Sequence, residues 1–166
     1  MRDFLQSIGY NYWILPTLLA LPLAGALLVL FTGGRGEEGE DEVVSGRARG
    51  PRVLATAIFA LEFILSLGLW WAFDPAYEGW QHRFDHAWIP SWGIRFTLGL
   101  DGMSLMMVLL TTFIMLLASY GSFTSIRRKA RAYYALLLVL TTGMLGVFMA
   151  LDLFLFYTMW EAMLIP

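Results

Sequence analysis

Long uncharged apolar runs alternate with short polar stretches along the whole chain. Residues 13–31, 103–120 and 133–151 contain no charged side chain, and 53–73 contains one acid, Glu62. At about 1.5 Å per residue, roughly 20 apolar residues in a helix cross the hydrocarbon core of a bilayer, and each run is near that length. A fifth run, 153–166, is shorter and has no polar stop or basic flank after it, so it reads as a cut span. The pattern predicts an all-α polytopic membrane protein. Its four complete transmembrane helices fall at about 13–31, 53–73, 103–120 and 133–151, with a truncated fifth at 153–166. A cleaved signal peptide is a poor reading of the first run. Arg2 sits beside Asp3, and the run exceeds the roughly 7–15 residues of a signal core.

Composition agrees: 58% of the 166 residues are hydrophobic and 14% charged. A soluble domain disperses its apolar residues by period, whereas here they come in blocks. Residues 32–52 are rich in glycine and acids and read as a flexible, solvated loop rather than a dock for a basic partner. Between the third and fourth runs lie Arg127, Arg128, Lys129 and Arg131. With Arg35, Arg47, Arg49 and Arg52, these make eight of the eleven basic residues. Two loops separated by two spans share a side, so the positive-inside rule puts both in the cytoplasm. That choice places the protein in the cell inner (plasma) membrane with its N-terminus, the 74–95 loop and Asp152 outside. Anionic lipid head groups offer the basic cluster a second use.

The 74–95 loop holds Trp80, Trp88 and Trp92, with Trp70 and Trp71 just before it, as an aromatic belt at one interface requires. His82 and His86 also lie there. A metal reading needs a third ligand beyond Asp85, so the expectation is two surface histidines. Asp101 precedes the third run as a helix N-cap. Cysteine is absent, which excludes disulfides, iron–sulfur ligation and attached c-type haem, and no histidine lies in a span. The chain is therefore expected to bind no redox cofactor or metal, and nothing in it suggests a nucleic-acid partner. No internal repeat is visible.

Two acids remain inside spans. Glu62 is near the middle of its run, and Glu161 follows Leu153 by eight residues. An ionised carboxylate at that depth is expensive, and protonation relieves the cost. A carboxyl that gains and loses a proton is what a proton carrier needs, while packing as a neutral acid is the plain alternative. Tyr157 and Thr158 lie four and three residues before Glu161, on one helical stripe. Pro166 cannot donate to the carbonyl of Ala162, so the backbone loosens just past the acid. These groups form a candidate proton path, with Glu62 as a further candidate.

At these residues the sequence resembles a known family. WIPSWGIRFTLGLDGMSLMMVLLTT (88–112) and GMLGVFMALDLFLFYTMWEAMLIP (143–166) are similar to the chain M, or subunit-4, class of antiporter-like subunits in proton-translocating NADH-quinone oxidoreductase, respiratory complex I. The resemblance implies an electron-transport-coupled proton translocase. Its family glutamate falls on Glu161 through the WE…LIP motif, and its partners are the other membrane subunits of the complex. It also implies that NAD, FMN, iron–sulfur clusters and quinone are bound by other subunits. Family members have about fourteen spans, so the chain reads as an N-terminal portion that is inactive alone. Glu62 matches no family motif. Two alternatives stay open: a subunit of a multi-subunit Na⁺/H⁺ antiporter, which shares the LDGMS region, and a non-conducting membrane anchor.

Overall fold

The computed structural model describes residues 7, 9–31, 49–126 and 129–166. Four helices are long and apolar enough to cross a membrane: α1 (Tyr10–Phe31), α2 (Arg49–Ala72), α3 (Gly102–Ser125) and α4 (Ala130–Met149). A shorter apolar helix, α5 (Leu153–Leu164), follows. The chain is a polytopic helical membrane protein, as the apolar runs predict. The helices extend past most of the runs because polar residues wind the exposed turns and cap the ends. The Asp101 carboxylate accepts from the Ser104 amide at 2.7 Å, which starts α3 one residue later. That bond holds the Asp101 carboxyl below the usual carboxylate range. Asp152 caps α5, accepting from the amides of Phe154 at 2.9 Å and Leu155 at 3.2 Å.

One element departs from the all-α expectation. The 74–95 stretch is not a plain loop. It leads into an antiparallel hairpin of β1 (Gln81–Ile89) and β2 (Ile94–Leu100), joined by one 3₁₀ turn at Pro90–Trp92. Gly93 closes that turn at φ 70, where a side chain is disfavoured. Strand chemistry explains the hairpin: Ile94, Phe96 and Leu98 alternate with Arg95 and Thr97. The far edge of β2 is also occupied, because the Leu151 amide donates to the Thr97 carbonyl at 2.9 Å. Asp85 ties the hairpin across its strands, accepting from Arg95 at 2.7 Å and from Thr97 at 3.0 Å.

α4 is the hub, packing against α1, α2, α3 and α5. At the end away from the hairpin, the Arg52 guanidinium donates to the Ile126 carbonyl, bringing the start of α2 to the end of α3. This agrees with the two basic loops sharing one end. Most of the acidic loop (32–48), with Arg127 and Arg128, lies outside the described residues. α5 docks through close backbone approach. A Cβ on Gly143 of α4 would come within 3.0 Å of the Met163 backbone, so only glycine admits the helix at this depth.

Two measurements follow. Single cysteines at Ser91, in the hairpin turn, and at Ser125, at the end of α3, are expected to react with a membrane-impermeant thiol reagent from opposite sides of the membrane. Labelling from the same side would mean that α3 does not cross. Gly143→Leu is expected to destabilise the folded chain in detergent by about 1–3 kcal/mol, the range for overpacking a close contact. Gly121→Leu in α3, where a Cβ meets nothing within 4 Å, serves as the near-neutral control in the same unfolding titration.

Candidate functional site

The bundle interior is divided by depth. At the hairpin end, Tyr10, Ile14, Leu15, Leu18, Leu69, Leu98, Leu105, Leu145 and Met149 form one apolar cluster. Toward the basic loops, Ala26, Val29, Ala55, Phe59, Met115, Tyr134 and Leu138 form another. Between them along the helices lies a polar layer: Glu62 and Ser66 of α2, Thr111 and Thr112 of α3, and Thr141 and Thr142 of α4, all buried. Their near-central positions in three helices put an α-helical hydroxyl or carboxyl at each wall.

Four of the five hydroxyls, those of Ser66, Thr112, Thr141 and Thr142, are hydrogen-bonded. Ser66 and Thr112 share a 2.8 Å hydrogen bond across α2 and α3, and each also donates to, or lies against, a carbonyl of its own helix. Thr141 and Thr142 donate to the carbonyls of Leu137 and Leu138. Glu62 differs. It is 0% exposed, and neither carboxyl oxygen has a hydrogen-bond partner among the described residues.

Glu161 sits in a different setting. It lies on the exposed side of α5, whose other side packs on α4 and β2. The Tyr157 hydroxyl interacts with it across one helical turn, as the spacing predicts. Thr158 instead turns its hydroxyl to the Phe154 carbonyl at 2.8 Å. The stripe thus brings Tyr157 to the acid and leaves Thr158 occupied with its own backbone. Glu62 does not join it, being enclosed among α1 to α4.

The histidine expectation needs correction. His86 is exposed, but His82 is only 8% exposed and lies on a strand, not at the surface. Between Gln81 and Phe84 the register of the hairpin slips by one residue, and His82 takes φ 53 at this bulge. A bulge re-aims a side chain, and here the imidazole turns inward, edge-on to the Tyr10 ring at 6.3 Å. Burial holds its pKa below the ordinary histidine value, favouring the neutral ring. Both ring nitrogens lack a hydrogen-bond partner among the described residues, and so does the Asn11 side-chain oxygen. His82 and Asn11 line a cavity of about 310 Å³ with Asp74, Tyr77, Trp80 and Gln81. No group of three metal-ligating side chains occurs among the described residues. Ser66, four residues after Glu62, was legible as its neighbour; nothing in the sequence pointed to Tyr10 or Thr112.

No protein-family model matches the chain. Individual relatives do. It is 34% identical over 159 residues to NADH-quinone oxidoreductase subunit M of Escherichia coli (strain K12), covering 92% of this chain and 29% of that protein. It is 38% identical over 154 residues to the subunit M of Rhodobacter capsulatus, covering 92% and 28%. With NADH-ubiquinone oxidoreductase chain 4 of Arabidopsis thaliana the figures are 32% over 155 residues, 93% and 29%. The chain therefore spans less than a third of the length of these relatives. Across nine-tenths of its own length it is one of their kind, and the chain belongs to the NADH-quinone oxidoreductase subunit M/chain 4 family.

Proposed function

We propose that this chain is part of a proton-translocating membrane subunit of an NADH-quinone oxidoreductase, and that Glu161 carries the proton. The observation behind this reading is the family similarity along 92% of the chain, joined to an acid on an otherwise apolar helix with a tyrosine hydroxyl beside it. An ionisable group at membrane depth faces a protein interior or a hydrated path, since hydrocarbon solvates neither of its forms well. The open side of α5, with Tyr157, Trp160 and Glu161 exposed, accordingly packs against further helices or neighbouring subunits of the complex. In that setting the carboxyl accepts a proton from one side and yields it to the next group in line. Tyr157 orients the carboxyl and offers a hydroxyl for the transfer. NADH oxidation, the flavin, the clusters and the quinone are handled by other subunits, and the chain supplies proton movement coupled to them.

The relatives' printed names favour this reading over a Na⁺/H⁺ antiporter subunit or an inert anchor. The orientation that goes with it places the basic loops in the cytoplasm and the hairpin outside, in the cell's inner membrane.

The test belongs in the assembled complex. Glu161→Gln keeps shape and hydrogen bonding but cannot titrate, so NADH-driven proton uptake and the coupled quinone reduction are expected to fall at least tenfold at unchanged complex abundance on a native gel. Glu161→Asp, which keeps the acid one methylene shorter, is expected to retain part of the activity. A packing role predicts the reverse order, with glutamine harmless and aspartate worse. Normal pumping in Glu161→Gln would falsify the assignment.

A further inference from the structure

Glu62 is not used by the proposed mechanism, yet it is the most isolated polar group described in the bundle. Its two oxygens are buried and unpartnered at the level where the apolar core is interrupted. Burying a carboxylate without hydrogen bonds or a counter-charge is prohibitively costly, so the group carries its proton in this conformation. No cation faces it. Among the described side chains, the ionisable groups on the helices around it are Tyr10 and Tyr12 of α1, Arg52 on α2 itself, Tyr120 of α3, and Arg131, Tyr133 and Tyr134 of α4, with Tyr12 and Tyr120 exposed. Arg52 lies ten residues away, about 15 Å along the helix. Its guanidinium is engaged at the Ile126 carbonyl.

The second observation is what lies between Glu62 and the hairpin end. The Tyr10 hydroxyl enters the bundle in the space that Gly68 leaves open, where a Cβ would be 2.5 Å from its oxygen. It donates to the Leu65 carbonyl at 2.5 Å. Leu65 and Ser66 begin the next turn of α2 after Glu62, about 5 Å along the axis. On its other side the Tyr10 ring meets His82, a residue of the lining of the 310 Å³ cavity at the hairpin end, whose two buried ring nitrogens have no hydrogen-bond partner among the described residues. Asn11 and Asp74 line the same cavity and make it polar enough to hold water.

We infer that Glu62 is a second proton-binding site of this chain, filled and emptied from the hairpin end through the His82 cavity and past the Tyr10 hydroxyl. The exchanged species is a proton alone. His82 accepts it on the free ring nitrogen and releases the one on the other, and the Glu62 carboxyl takes up or returns it. This site is separate from Glu161 and does not depend on the complex I reading, since it concerns groups enclosed within the four-helix bundle.

Infrared difference spectroscopy of the chain in lipid nanodiscs tests it without any measure of turnover. The wild type is expected to show a protonated-carboxyl C=O band that is missing in Glu62→Gln and shifts promptly when H₂O is replaced by D₂O. In Tyr10→Phe, which keeps the ring in its place, the shift is expected to slow at least tenfold at unchanged helicity. His82→Gly, which tolerates the positive φ, is expected to slow it likewise, and imidazole added to the buffer should restore the rate through the emptied cavity. A structural role for either side chain gives no such rescue. The inference is overturned if no band depends on Glu62, if the band does not shift in D₂O over hours, or if Tyr10→Phe exchanges as fast as wild type. Tyr134→Phe, on the far side of the polar layer, should leave the rate unchanged; slowing there equal to that of Tyr10→Phe would also overturn the route.

Discussion

Inside a bilayer a polar group has only the protein to bond to, and that constraint organises this chain from end to end. Where helices begin at the interface, Asp101 and Asp152 take up amides that water would otherwise serve. Within the bundle, serine and threonine hydroxyls turn back to their own helices or pair across α2 and α3, as Thr56 does with Ser119 at 2.6 Å. Even the hairpin obeys the rule, filling the outer edge of β2 with the Leu151 amide. Against that background an acid with two idle oxygens is conspicuous. Its cost has to be offset by the packing of the two apolar clusters on either side of it.

Much of this was readable in the residues, because the strongest signal in a membrane protein is length of apolar run. The four long helices and the short fifth were each foreseen as elements, and Asp101 was placed at its helix start by chemistry alone. The hairpin was not, since its strands sit inside a stretch whose tryptophans and charges look like an interfacial loop. Alternation over Ile94–Leu100 and the Pro-Ser-Trp-Gly turn were the available signals. His82 was misjudged for a subtler reason. A one-residue register slip decides which way its ring points, and no periodicity in a nine-residue strand reveals a bulge.

The two acids show where sequence reasoning stops. Depth along a run was enough to single out both Glu62 and Glu161, but depth does not say what surrounds a side chain. The glutamate with a family motif lies on the open side of α5, and the one without lies sealed in the core. Spacing within one helix sets Tyr157 one turn from Glu161. Contacts between helices, such as Ser66 with Thr112 or Tyr10 with Leu65, depend on rotations that a single chain of letters does not encode.

The seat of α5 on α4 carries a mechanical meaning. Gly143 lets main chain rest against main chain at Met163, two residues beyond Glu161, with no flexible side chain between them. Soft contacts absorb small movements by changing rotamers; this one has nothing to absorb them with. At this contact a movement of α4 meets the main chain of α5 directly, whereas one turn away, at Gly146, it meets the flexible side chain of Met159.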